Sequence, residues 1–205
     1  MAYIPMMYLH LLAGAIITFA SSEDTLSDTT GYSIAVAILS FVLLLTLLFL
    51  PPSPLKYLVA ALYCAALGQT MYHLFQTLKQ KDLVRPVLVS VCSIFAAMTV
   101  AGFLDQQNLL GFGGYLFAAL CGLLLARIGL ILFAVTGATD SLTSANQLLS
   151  LLGTGLFSIY VAYDTQRLKA DAKRRQKNPD YIEATISLYL DLLNLFVNVA
   201  DLMDH

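Results

Sequence analysis

Seven stretches of membrane-spanning length, at roughly residues 4–20, 32–50, 56–75, 86–104, 110–135, 146–166 and 182–203, are almost wholly apolar and leave little of the 205-residue chain over. A helix needs about 20 apolar residues to cross the hydrocarbon of a bilayer, and it satisfies its own backbone hydrogen bonds there. Only 12% of the residues are charged and 59% are hydrophobic, too little charge to cover a soluble surface. The sequence therefore predicts an all-α integral membrane protein, one seven-transmembrane-helix bundle over residues 1–205. The first stretch has neither a basic leader nor a small-residue cleavage site before the polar run Ser21 to Asp28, so it reads as a retained helix and not as a signal peptide.

The seventh stretch carries Ser187, Asp191, Asn194, Asn198 and Asp201. Steps of four, three, four and three draw one polar stripe down a helix. An ionisable side chain in hydrocarbon costs at least ~2.5–3.5 kcal/mol, so the stripe must face protein or water, inside the bundle.

Loop charge orients the bundle, because cytoplasmic loops are rich in Lys and Arg. Lys56 and the group Arg167, Lys169, Lys173, Arg174, Arg175 and Lys177 fall on the same side as the N-terminus, against Lys79, Lys81 and Arg85 on the other, together with the acidic Glu23, Asp24 and Asp28 and the tail Asp204–His205. Seven against three predicts a cytoplasmic N-terminus. The Pro51-Pro52-Ser53-Pro54 turn separates the second and third spans. Asn178 is expected to cap the last helix, with Pro179 at its first position.

Tyr163-Asp164-Thr165-Gln166 closes the sixth span about a turn before the basic loop, and Asp191 lies about nine residues into the seventh. The two carboxyls are thus expected at similar depth on neighbouring helices. In close contact such a pair shares a proton; protonated it hydrogen-bonds two helices together, and ionised it repels or binds a cation. The alternative is that Asp164 sits in interfacial water and Asp191 bonds only within its helix. Arg127, the one basic residue deep in a span, has to find a carboxylate or a watery crevice: it pairs with Asp191 or Asp201, or it snorkels. Gln69, His73 and Gln76 make a further stripe on the third span, either lining the interior or hydrogen-bonding at a helix interface. Asp105 to Asn108 read as a polar loop. Gly114, Ala118, Gly122 and Ala126 repeat every four residues and read as a packing seam, with a weaker one at Ser90, Ile94, Ala97 and Ala101.

Catalysis finds no support, for HExxH, GxSxG, P-loop and dinucleotide-binding patterns are all absent. An intramembrane aspartyl protease would carry Gly-x-Gly-Asp at its second aspartate, where this chain has Leu188-Tyr189-Leu190 before Asp191. Cys64, Cys92 and Cys121 lie within separate spans at no metal-ligand spacing and read as packing residues. Net charge is −2 with no basic groove, which speaks against a nucleic-acid partner.

Tyr163-Asp164-Thr165-Gln166, a basic loop, Asp180-Tyr181-Ile182, and then Ser187-Leu188-Tyr189-Leu190-Asp191-Leu192-Leu193-Asn194-Leu195-Phe196 resemble the last two helices of the transmembrane Bax inhibitor motif family in order and spacing. Ala66-Leu67-Gly68 and Gly113-Gly114-Tyr115-Leu116 resemble its third and fifth helices more weakly, so the resemblance extends over about residues 55–200. It implies a bundle with a central last helix between two three-helix layers. It also implies a pH-sensitive calcium leak in which Asp164 and Asp191 form the latch and a transient Ca²⁺ site, with no cofactor tightly bound. The rest of the stripe, Ser187, Asn194, Asn198 and Asp201, either continues the ion path or ties helices together. The implied partners are the lipid bilayer, Ca²⁺, protons and, in some relatives, a membrane protein; the implied location is a bacterial inner membrane, or the endoplasmic reticulum in a eukaryote. A regulator acting through partner contacts, such as a membrane-protease modulator or cell-death suppressor, and a proton-coupled transporter are the competing classes. The chain departs from the family in having Gln69 where proline often follows the third-helix glycine, and in lacking an arginine in its second span to serve the latch.

Overall fold

The computed structural model describes residues 3–27, 29–104, 109–135, 142–174 and 180–204. Asp28, Asp105 to Asn108, the basic Arg175 and Lys177, Asn178-Pro179 and His205 lie outside the described residues. The helices are α1 (Tyr3–Ser21), α2 (Thr30–Phe49), α3 (Pro54–Thr70), α4 (Tyr72–Gln80), α5 (Val84–Leu104), α6 (Gly113–Val135, entered through a 3-10 turn Leu109–Phe112), α7 (Leu142–Arg174) and α8 (Tyr181–Asp204). Among the described residues, six helices are long and apolar enough to cross a membrane. A seventh crossing results if α3 and α4, bent by 51° about a short break, count as one span.

The local chemistry places these ends. Thr29 caps α2, its side chain accepting from Tyr32 N. Pro54 opens α3, where a missing N–H costs nothing. Asp180 caps α8: its Oδ1 accepts from Glu183 N at 3.0 Å. That corrects the expected cap at Asn178. Asp180 wins because its second oxygen is held by Lys56 Nζ at 2.5 Å, a buried ion pair, so one carboxylate satisfies the helix N-terminus and a buried cation together.

Two compact units share the chain: Met1–Asp82 with Asp171–Tyr189, and Leu83–Ala170 with Leu190–His205. In the first, α3 packs against α1 and α2, and the first part of α8 is tied in by hydroxyls. Thr18 Oγ1 donates to Gly14 O at 3.0 Å and lies 2.5 Å from Tyr189 Oη; Thr185 Oγ1 bonds Tyr181 O at 2.7 Å and Met7 O at 3.3 Å. Such bonds hold helices where burying apolar surface gains nothing over lipid. Gly68 rests against the Thr18 carbonyl, where a Cβ would collide with backbone. Just beyond it, Gln69 Nε2 donates to Ser21 O at 2.5 Å and Asp24 O at 2.8 Å, and Gln76 Nε2 to Glu23 O at 3.0 Å. The expected continuous third span is therefore bent: α4 follows the segment after α1, burying Phe75 and Leu78.

In the second unit Gly102 of α5 sits against α7, where a Cβ would lie 2.6 Å from Ala162 O and 2.9 Å from Thr165 Cβ. The expected seam on α6 takes no part in this packing. Gly114, Ala118, Gly122 and Ala126 are exposed, nothing lies within 4 Å of a Cβ built on either glycine, and Leu116, Leu123 and Arg127 face inward instead. The reason is that Arg127 must reach polar partners, and that requirement turns the helix. Cys92, expected as a packing residue, is exposed, whereas Cys64 is buried.

Candidate functional site

Every residue of Tyr163–Gln166 on α7 meets a different part of the second unit. Tyr163 lies against Gly113 at the start of α6. Thr165, fully buried, packs on Gly102. Gln166 Oε1 accepts from Leu109 N at 3.0 Å. Asp164 faces Asp191 on α8, the two carboxyls at hydrogen-bonding range of one another.

Both aspartates are buried, 8% and 5% exposed. Asp191 Oδ2 has no hydrogen-bond partner. Arg167 acts on Asp164 from one turn further along α7, and Tyr160 lies close to both carboxyls. Two buried carboxyls in contact hold together only with a proton between them. Among the described residues no group of three or more His, Cys, Asp and Glu side chains is arranged to hold a metal; two carboxylates supply a minority of the six to eight oxygens that Ca²⁺ takes.

A second polar cluster occupies the C-terminal part of α8. Arg127 Nη2 donates to Asn198 Oδ1 at 2.6 Å and to Ser150 Oγ at 3.2 Å, and Nη1 lies 3.4 Å from Asp201 Oδ2. Ser150 Oγ also donates to Asp201 Oδ2 at 3.2 Å. Asn198 Nδ2 bonds Asn194 O at 2.7 Å, and Asn194 Nδ2 bonds Leu190 O at 2.8 Å, so this stretch of the stripe is tied along its own helix. Arg127 thus takes Asp201, out of the alternatives the sequence left open. Gly153 of α7 makes room for the Asn198 amide, which a Cβ would strike.

The remaining candidates lie elsewhere. Ser187 is half-buried, and His73 is exposed, so of its two alternatives it does not line an interior; it lies beside Tyr72, ring centroids 5.3 Å apart. Gln69, rather than lining an interior, receives Tyr32 Oη at 2.9 Å and binds the backbone after α1. Sequence reading missed Ser150, Gly102 and Gly153. The signal for Ser150 and Gly153 was present in the α7 face Ser150, Gly153, Phe157, Val161 and Asp164, which repeats at helical spacing; Gly102, on α5, had none.

The whole chain, residues 1–205, matches the model of the family described as Inhibitor of apoptosis-promoting Bax1. It is 26% identical to an uncharacterized protein of Borreliella burgdorferi, over 94% of this chain and 85% of that protein. It is 32% identical to inner membrane protein YbhL of Escherichia coli over 66% of this chain, and 26% identical to Bax inhibitor 1 of Schizosaccharomyces pombe over 80%. The match spans 57% and 58% of the length of those two relatives. With its span-length apolar helices the protein is a multi-pass integral membrane protein, and the match over its full length makes it a member of the Inhibitor of apoptosis-promoting Bax1 family.

Proposed function

We infer that the protein is a passive, pH-sensitive Ca²⁺ leak channel of a bacterial inner membrane, gated by Asp164 and Asp191. One observation carries this reading: two buried carboxyls face each other from α7 and α8 at hydrogen-bonding range. A proton shared between them ties the helices; its removal sets like charges against each other and offers a passing cation two carboxylates. In this reading the protein is one seven-span domain with α3 and α4 as a broken third span and α8 central. Support for the last point comes from burial, because 44% of the most apolar stretch of α8 is buried against 6–28% for the other five candidate spans. The polar stripe of α8 then lines the ion path, Ca²⁺ is cargo and not a resident cofactor, and no reaction is catalysed. The N-terminus is cytoplasmic, by the seven-against-three excess of basic residues; the inner membrane is favoured by the name of the YbhL relative.

The test is Ca²⁺ flux into liposomes reconstituted with the protein, measured across pH for the parent, Asp164→Asn and Asp191→Asn. A parent flux that changes with pH, and flat profiles in both variants, is expected. Parent-like profiles in both would refute the latch.

A second reading, a regulator acting through a membrane-protein partner, is favoured by the family description and by the name of the yeast relative. It predicts a stoichiometric partner recovered from native membrane and no flux through the purified protein.

A further inference from the structure

The first part of α8 has two faces. At about 100° per residue, Ile182, Thr185, Ile186 and Tyr189 lie nearly opposite the polar stripe through Ser187, Asp191 and Asn194. This second face borders a cavity of about 330 Å³, its mouth included, closed by His10 and Gly14 of α1, Leu47 of α2 and Ala60, Tyr63 and Cys64 of α3. The starts of α1, α3 and α8 meet at one end of it, where the Tyr3 and Tyr181 rings are 5.4 Å apart and the His10 ring lies 5.4 Å from Tyr57 and 5.8 Å from Tyr181. Aromatic rings clustered at one end of apolar helices mark the headgroup level of a bilayer. The half-buried lining residues His10, Ala60 and Ile186 stand more than a turn inside their helices, so the mouth opens on hydrocarbon.

One group there has no protein partner. Tyr63 is 3% exposed, and its Oη is neither walled in nor hydrogen-bonded by any described residue. The neighbouring hydroxyls are taken: Tyr189 Oη lies 2.5 Å from Thr18 Oγ1, and Thr185 Oγ1 bonds Tyr181 O and Met7 O. A phenol held out of water gains from any acceptor that reaches it. Among the described residues no Lys, Arg, Asp or Glu lines the cavity, and Lys56 at the start of α3 is already paired with Asp180, so an anionic ligand finds no counter-charge. Tyr63 stands nine residues into α3, about 13 Å along the helix, too deep for a glycerol ester anchored at headgroup level. We propose that the cavity binds an uncharged, lipid-soluble carbonyl ring of the quinone class, which enters from the hydrocarbon, accepts a hydrogen bond from Tyr63 Oη at a carbonyl and leaves its apolar tail in the bilayer. Tyr63 and Tyr189, ring centroids 6.2 Å apart, give it aromatic walls. The site stands on the face of α8 turned away from Asp191 and does not rest on the leak reading.

The experiment follows ligand adducts of the full chain by native mass spectrometry, with a decyl-substituted benzoquinone as probe and dioctanoylglycerol and palmitate as competitors. Ala60→Leu fills the cavity, and Tyr63→Phe keeps its shape and removes the donor. Leu125→Ala, on an exposed position of α6, is the control. A quinone adduct is expected in the parent and the control, lost in Ala60→Leu and about two- to tenfold weaker in Tyr63→Phe, with neither competitor displacing it. Should Ala60→Leu not fold, Tyr63→Phe decides. No adduct in the parent, or an adduct equally strong in Tyr63→Phe, overturns the proposal. Displacement by either competitor overturns it in favour of an acyl lipid.

Discussion

Lys56 Nζ lies 2.5 Å from Asp180 Oδ2, and the two side chains are 3% and 8% exposed. The start of α3 is thereby fastened to the start of α8, at a carboxylate that also caps α8 through Glu183 N. Breaking one side of a buried pair strands the other charge, at a cost of about 3–5 kcal/mol. Lys56→Met is expected to lower the melting temperature in detergent sharply. Lys56→Met with Asp180→Asn restores most of the loss, since asparagine still caps a helix and needs no counter-charge. Equal destabilisation in the single and double variants would show that the pair is not the cause.

The proton that the proposed latch shares between Asp164 and Asp191 predicts that the stability of the second unit depends on pH. With the shared proton in place the helices are bonded; as pH rises and the proton leaves, like charges face one another in a low dielectric, so stability falls with rising pH. Asp191→Asn keeps a hydrogen-bonding group and removes the charge. Thermal unfolding in detergent from pH 5 to about pH 9 should show the parent losing stability upward and the variant flat. A variant that tracks the parent would count against proton sharing.

Gly68 and Gly102 each oppose a backbone carbonyl of a neighbouring helix, Thr18 O and Ala162 O. Backbone cannot rotate aside as a side chain does, so alanine at either position forces helices apart, at about 1–3 kcal/mol. Gly122→Ala, with nothing within 4 Å, is the matched control and should leave the melting temperature unchanged. Comparison of the three by thermal unfolding decides the matter.

Gly153→Ala is expected to act through Asn198, whose amide fills the place of the added methyl. Asn198 must turn away and release Arg127 from its 2.6 Å contact. The loss should be about 1–3 kcal/mol, the cost of a displaced buried polar group. Most of it should vanish in an Asn198→Ala background, where a double-mutant cycle reads the coupling; additive losses would separate the two positions.

How much of this was legible in the sequence depended on whether a residue demands a partner. The meeting of Asp164 and Asp191 was readable because a carboxyl in a span must be answered, and loop charges put both at the same depth. Arg127 demanded a partner just as plainly, yet the choice among Asp191, Asp201 and lipid headgroups is a matter of how α6 is rotated, which no local spacing states. Gly114, Ala118, Gly122 and Ala126 misled for the converse reason: small residues permit close packing and do not require it. Gln69 and Gln76 went to backbone carbonyls after α1, a partner without any side-chain signature.

By itself the sequence determined the class of the protein and the places where helices run, because in hydrocarbon every backbone group must be satisfied within its own segment. It also marked α8 as a helix that hides one face, through polar residues too costly to show to lipid. Only the tertiary structure decided which apolar faces meet, where the third span bends, and which charge Arg127 answers. Lipid and protein are nearly equal solvents for a leucine, so the pattern of apolar residues cannot tell an inner face from an outer one. Close contacts such as Gly68 on Thr18 O and Arg127 on Asn198 make that choice.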